Sequence, residues 1–249
     1  MIEMKIARID QRNDNTPILS NREIDDFAHA VIKDYDPGLL CEARPIDYER
    51  FIEAYLGMDI LYKDIYYEED TPPVYGMTIF RNGTVKVFDR EAGGVAYPII
   101  RANTVVMDNC VTENEGMAMF TALHESGHFF MHQGVHSVFR AGQVCCRKKN
   151  TGQLRTQWTA EAWREHHANH FAGAVAMPDA TFAPFVKNAL RECGIFKSSI
   201  VTGEDDDLDI AANDLLPERV SEAYGVSKQA ASVKLKKCGF VVAANCREK

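Results

Sequence analysis

Nowhere in its 249 residues does the chain approach the roughly 20 consecutive apolar residues that a membrane span requires, so no membrane partner is expected. Its start, Met1-Ile-Glu-Met-Lys-Ile-Ala-Arg-Ile-Asp10, sets charges where the apolar core of a secretory leader would stand. A disulfide framework is missing too. The seven cysteines, Cys41, Cys110, Cys145, Cys146, Cys193, Cys238 and Cys246, are odd in number and irregular in spacing. These absences lead to the expectation of a cytoplasmic protein with reduced thiols. Cys145-Cys146 has no second pair to complete a zinc-finger spacing. Cys110 reads as a small buried hydrophobe rather than a thiol that caps a metal. Positive charge is also short: the net charge of −8 argues against a general binder of nucleic acid or anionic lipid. The balance is uneven, since residues 217–249 hold seven Lys and Arg against three Glu, a net of +4 that leaves −12 elsewhere.

Apolar residues make up 46% and charged residues 26%, ordinary for a folded domain, and the length suits one compact domain with a small appendage. The chain is organised around Phe120-Thr-Ala-Leu-His-Glu-Ser-Gly-His-Phe-Phe-Met-His132. Residues four apart lie one above the other on a helix, so His124 and His128 can point at one cation. Glu125, about 100° round the helix from His124, reaches the side where a water would stand. Zinc suits two such nitrogens, and it keeps an open position for water when three protein ligands bind it. A helix carrying two hydrogen-bonded histidines is the plainer alternative.

A third ligand decides between them. The metzincin spacing would need His at 134 and Gly at 131, and those positions are Gly134 and Met131. His132 and His136 keep the four-residue step but lie further turns along, away from the metal. The better source is Trp158 to Pro178, which the composition predicts as a helix of about five turns stopped by Pro178. Within it Glu165 offers a carboxylate, and Asn169, one turn on, an amide oxygen able to accept from the far nitrogen of a ligand histidine. Glu161, His166, His167 and His170 compete for the third place. Seven of the eight histidines fall between 124 and 170, with only His29 outside, and such clustering favours a shared site.

Phe120-Thr121 running into His-Glu-x-Gly-His and His132, followed by Glu165-x-x-Ala168-Asn169-x-Phe171-Ala172 and Met177-Pro178, resembles the ImmA/IrrE family of bacterial zinc metallo-endopeptidases. The resemblance spans roughly residues 20 to 240 and is strongest from 103 to 178. Leu123, Ser126 and the lack of Arg just before Phe120 depart from the family pattern at positions of helix packing. The resemblance implies a zincin-like α+β fold with one Zn2+ held by His124, His128 and Glu165. Glu125 would be the catalytic base and Asn169 the residue orienting a ligand histidine. It also implies a protein substrate, a helix-turn-helix transcriptional repressor cleaved once to release stress or mobile-element genes. Manganese or iron would suit the same ligands. The oxyanion donor stays open among Tyr97, His136, His167 and His170. A deformylase, which shares His-Glu-x-x-His, needs a Glu-Gly-Cys motif that is lacking here. A regulatory adaptor or DNA-binding protein with a structural metal site is the remaining rival.

The rest of the chain divides into an extended or poorly ordered arm (1–20), the metallopeptidase domain (21–200), and an acidic linker with a helix-turn-helix-like segment (201–249). Ile24, Phe27, Ala28 and Val31 mark an amphipathic helix, and Asp47 to about Leu56 a second, ended at Gly57. Strands are expected at 74–80 and 84–88, joined as a hairpin through Asn82-Gly83, with a third at 103–108, so that a small antiparallel sheet packs on the metal helix. Residues 137–157 read as a basic loop, with Arg147, Lys148 and Lys149 as candidates for holding an acidic part of a substrate. Phe182 to Cys193 reads as a helix. In the tail Gly225-Val226-Ser227 is the expected turn, with Ser227 capping the next helix. That helix offers Lys228, Lys234, Lys236 and Lys237 but no Arg, so base reading would be poor.

Overall fold

The computed structural model describes residues 11–69, 71, 73–138, 143–147, 158–203 and 205–244. It is an α+β protein. In chain order its elements are α1 (Asn21–Tyr35), α2 (Tyr48–Arg50, running on as a π-helical turn Phe51–Leu56), β1 (Asp59–Lys63), β2 (Val74–Ile79), β3 (Gly83–Thr84), β4 (Val87–Asp89), β5 (Gly94–Ala96), β6 (Ile99–Ile100) and β7 (Thr104–Asp108). There follow α3 (Glu115–Val138), β8 (Gln143–Arg147), α4 (Ala160–Ala176), α5 (Asp179–Glu192), β9 (Ile200–Thr202), α6 (Asp206–Ile210), α7 (Leu216–Tyr224), α8 (Lys228–Lys237) and β10 (Val241–Ala243). Two compact units form, residues 1–35 with 47–175, and residues 36–46 with 176–249, so α5 clusters with the C-terminal helices although it precedes residue 200. Among the described residues no helix is long and apolar enough to cross a membrane.

In the first unit the sheet order is β1-β7-β2-β8. It is mixed rather than wholly antiparallel: β1 runs parallel to β7, while β2 is antiparallel to both β7 and β8. The expected Asn82-Gly83 hairpin does not form. Both edges of β2 are already paired, so the following residues pair elsewhere, β3 with β6 and β4 with β5. Asn82 instead accepts a bond from the backbone N–H of Ala102 (2.7 Å). Val85, Val87 and Ile100 turn inward to join Ile65, Val74, Met77, Ile79 and Val106 in one apolar cluster. Part of the expected loop 137–157 is also strand, since 143–147 closes the sheet as β8. Lys148 and Lys149, and the side chains of Cys145, Cys146 and Arg147, lie outside the described residues.

The helices begin where the sequence caps them. Ser20 and Glu23 exchange side-chain and backbone bonds, a capping box that starts α1, and Asp47 accepts from the Arg50 N–H to start α2. Gly57, at φ 68°, ends α2 in the left-handed region. Residues 11–20 are fastened to α4 rather than loose. Arg164 reaches Asp14 (2.7 Å) and Thr16 (2.8 Å), and the Arg12 guanidinium lies over the Trp163 ring at 4.8 Å. Phe27 of α1, Phe130 of α3 and Phe171 of α4 meet as an aromatic cluster, with centroids 5.2 to 6.0 Å apart. Cys110 is exposed, contrary to expectation, because Val111 takes the inward position of the 3-10 turn after β7.

In the second unit Ser227 caps α8 by accepting from the Ala230 N–H (3.1 Å), and Gly225 turns the chain at φ 65°. The helix-turn-helix shape is therefore present. Tyr224 donates to Thr181 (3.1 Å) among Phe182, Phe185 and Phe240. The acidic run after Gly203 is not a plain linker: Asp205 caps α6 and Asp206, Asp207 and Asp209 fill its first turn, where the helix dipole favours negative charge.

Candidate metal centre

Two glycines set where the metal helix lies. A Cβ at Gly76 of β2 would sit 2.7 Å from Thr121 Cγ2 and 3.3 Å from the Glu125 side chain, so only glycine lets α3 lie this close to the sheet. At Gly127 a Cβ would meet the Ala168 Cα at 3.0 Å, which brings α3 and α4 almost backbone to backbone. His128 follows Gly127 and Glu165 stands three residues before Ala168, so this contact draws the donors of both helices together.

The result is a buried group of three. One ligand atom each from His124, His128 and Glu165 lies within 4.8 Å of the other two. The two Nε2 atoms are 3.0 Å apart, His128 Nε2 is 3.2 Å from Glu165 Oε1, and His124 Nε2 is 3.6 Å from Glu165 Oε2. Asn169 Oδ1 stands 3.0 Å from His124 Nδ1. With the amide oxygen as acceptor the ring proton sits on Nδ1, leaving a lone pair on Nε2 turned toward Glu165. Two neutral nitrogens and one carboxylate form a donor set that fits zinc with a fourth position open.

Glu125 is fully buried beside His124, and Thr78 of β2 donates to its Oε2 at 2.6 Å. Nothing local in the sequence singled out Thr78. The competing residues on α4 are occupied otherwise. Glu161 is exposed, His166 bonds Asn21 (2.9 Å), and His170 bonds Asp25 (2.8 Å). His132 lies directly behind His128, Nδ1 to Nδ1 at 2.8 Å, and His167 lies behind His132. Burial holds the His167 imidazole down to a pKa of about 3, with His166 and Arg12 adding to the shift, so that ring is neutral. Of the oxyanion candidates, Tyr97 is 61% exposed and the His136 side chain lies outside the described residues.

A His-Glu-x-x-His helix set against a second helix that brings a glutamate to the same point defines a metallopeptidase-type centre. The family model for peptidase M78, the IrrE N-terminal-like domain, matches residues 110–236, just over half of the chain, and the chain belongs to that metallopeptidase family. No curated protein matches it.

Proposed function

We propose that this chain is a zinc-dependent endopeptidase that cuts a helix-turn-helix transcriptional repressor at one site. His124, His128 and Glu165 are the ligands and Glu125 is the general base. The observation that carries the reading is the buried convergence of those three donors next to a glutamate that does not share their point. Bound zinc supplies a lowered pKa for water and Lewis-acid polarisation of the scissile carbonyl. Glu125 takes the proton of the attacking water at its carboxylate and hands it to the departing amine. Thr78 fixes which oxygen of Glu125 is occupied, and Asn169 fixes the tautomer of His124. The repressor as substrate rests on the family resemblance.

A DNA-binding role for α8 gains little support from its lysines. Lys228 pairs with Glu218 at 2.8 Å, and Lys234 is buried against Asp179 at 2.5 Å. Metal analysis of the purified chain, together with co-expression with candidate helix-turn-helix repressors, tests the proposal. Wild type and Glu125→Gln should both carry about one metal per chain, and only the wild type should yield repressor fragments. Metal without cleavage of any partner would instead favour an adaptor with a structural site.

A further inference from the structure

We propose that His132 and His167 are positioning residues that hold His128 in the one tautomer able to bind the metal. The inference rests on reading His124, His128 and Glu165 as ligands. His128 turns Nε2 toward His124 and Glu165, so its Nδ1 is the nitrogen left for support. That Nδ1 meets His132 Nδ1 at 2.8 Å, and His132 Nε2 in turn lies 3.4 Å from His167 Nδ1. The His132 and His167 rings stack with centroids 5.7 Å apart and 23° between planes. None of the three rings is more than 1% exposed. His167 Nε2 ends the row, a buried nitrogen without a hydrogen-bond partner among the described residues.

One proton occupies each contact between neutral rings, so the row has a direction. Ligation needs a lone pair on His128 Nε2, which places that ring's proton on Nδ1 and makes His132 Nδ1 the acceptor. His132 then carries its proton on Nε2 and donates to His167 Nδ1, and the last proton falls on His167 Nε2. Run the other way, the row would put a proton on His128 Nε2, aimed at the Glu165 carboxylate and closing that nitrogen to a cation. His124 needs no such row, because the amide oxygen of Asn169 can only accept. Imidazole can do either, so the tautomer of His132 has to be set from its other nitrogen, the one that faces His167 Nδ1.

Partners of this kind change metal affinity about 10- to 100-fold when removed. The test is zinc affinity by chelator competition, with histidine 15N shifts of the zinc-loaded protein as an independent reading of tautomer. His132→Phe keeps a ring but offers no acceptor, and it should weaken zinc binding by about 10- to 100-fold. His132→Asn places an amide oxygen where Nδ1 stood and should recover most of the loss. His167→Phe should weaken binding by a smaller factor. In the wild type the 15N shifts should place the His132 proton on Nε2. Wild-type affinity in His132→Phe, or a proton on His132 Nδ1 in the zinc form, would overturn the proposal while leaving the ligands intact. A wild-type chain that takes up no zinc would instead remove the ligand assignment itself. Should His132→Phe not fold, the wild-type shifts and His132→Asn decide.

Discussion

Thr78, on β2, sets its hydroxyl 2.6 Å from Oε2 of Glu125 and 3.1 Å from the backbone oxygen of the same residue. A hydroxyl donates one proton, and the shorter contact goes to the carboxylate, so Thr78 fixes the carboxylate's rotation. A hydrogen bond to a charged group contributes about 1.5–3 kcal/mol, which corresponds to about a 10- to 100-fold change in rate if the base swings out of place. Thr78→Val preserves the shape and removes the donor. It should lower kcat for peptide-bond cleavage by about that factor with little change in KM, and Thr78→Ser should restore it. Zinc content should not change in either variant. A Val variant that cuts at the wild-type rate would show that Glu125 needs no such hold.

The contact of Gly127 with α4 predicts a different outcome. In a helix interior Gly→Ala ordinarily gains about 0.5–1 kcal/mol. Here the new Cβ would press on the Ala168 Cα at 3.0 Å and its carbonyl oxygen at 3.3 Å, atoms that cannot swing aside. Overpacking typically costs about 1–3 kcal/mol, so the net change in stability should be small or unfavourable. The clearer reading is zinc affinity, which should fall as α4 moves outward and carries Glu165 off the histidine pair. Competition with a chelator measures it, and undiminished affinity would mean that α4 is placed by its other neighbours.

These two contacts also show which parts of the site were legible in the sequence. His124, Glu125 and His128 are written in local helical spacing. The helix that carries Glu165 and Asn169 is legible from its composition, but Glu161, His166, His167 and His170 share it, and only the family resemblance favoured Glu165 with Asn169 among them. Thr78 is 47 residues from Glu125 and belongs to a strand, so only the packing of sheet on helix reveals it. The same limit explains the strands. Asn82-Gly83 is a sound local turn, but whether it closes a hairpin depends on whether β2 has an edge to spare, and β7 and β8 take both. Gly225-Val226-Ser227, by contrast, is a turn whose information is local, and it forms as read.

Lys234 of α8 is 5% exposed and reaches Asp179, whose own side chain is 65% exposed, while its ammonium also lies 5.5 Å from the Phe182 ring. Breaking such a pair from the acidic side strands a buried cation, whereas removing the cation does not. Asp179→Ala should therefore lower stability, by about 1–2 kcal/mol once the exposure of Asp179 is allowed for. Lys234→Met keeps the apolar stem and should be close to neutral. Thermal melts of the two variants make the comparison, and a larger loss in Lys234→Met would show that the charge itself is needed.

His167 gives the chain an acid sensitivity that does not depend on metal. Its pKa in the folded chain is held to about 3, against about 6.5 for an unfolded histidine. Between those values the unfolded state binds one more proton than the folded state, so stability rises with pH. The contribution is fully present above about pH 6.5 and is lost as pH falls toward 3, at about 1.4 kcal/mol per pH unit. Acid would also displace any metal held at His124 and His128, so the measurement belongs to chelator-treated protein. Urea midpoints for wild type and His167→Phe at pH 7, 6, 5 and 4 should run parallel above the histidine range and diverge below it, the variant lacking one proton's worth of slope. Equal slopes at pH 4 to 6 would show that His167 takes up its proton in the folded chain at an ordinary value, and that its surroundings admit the charge.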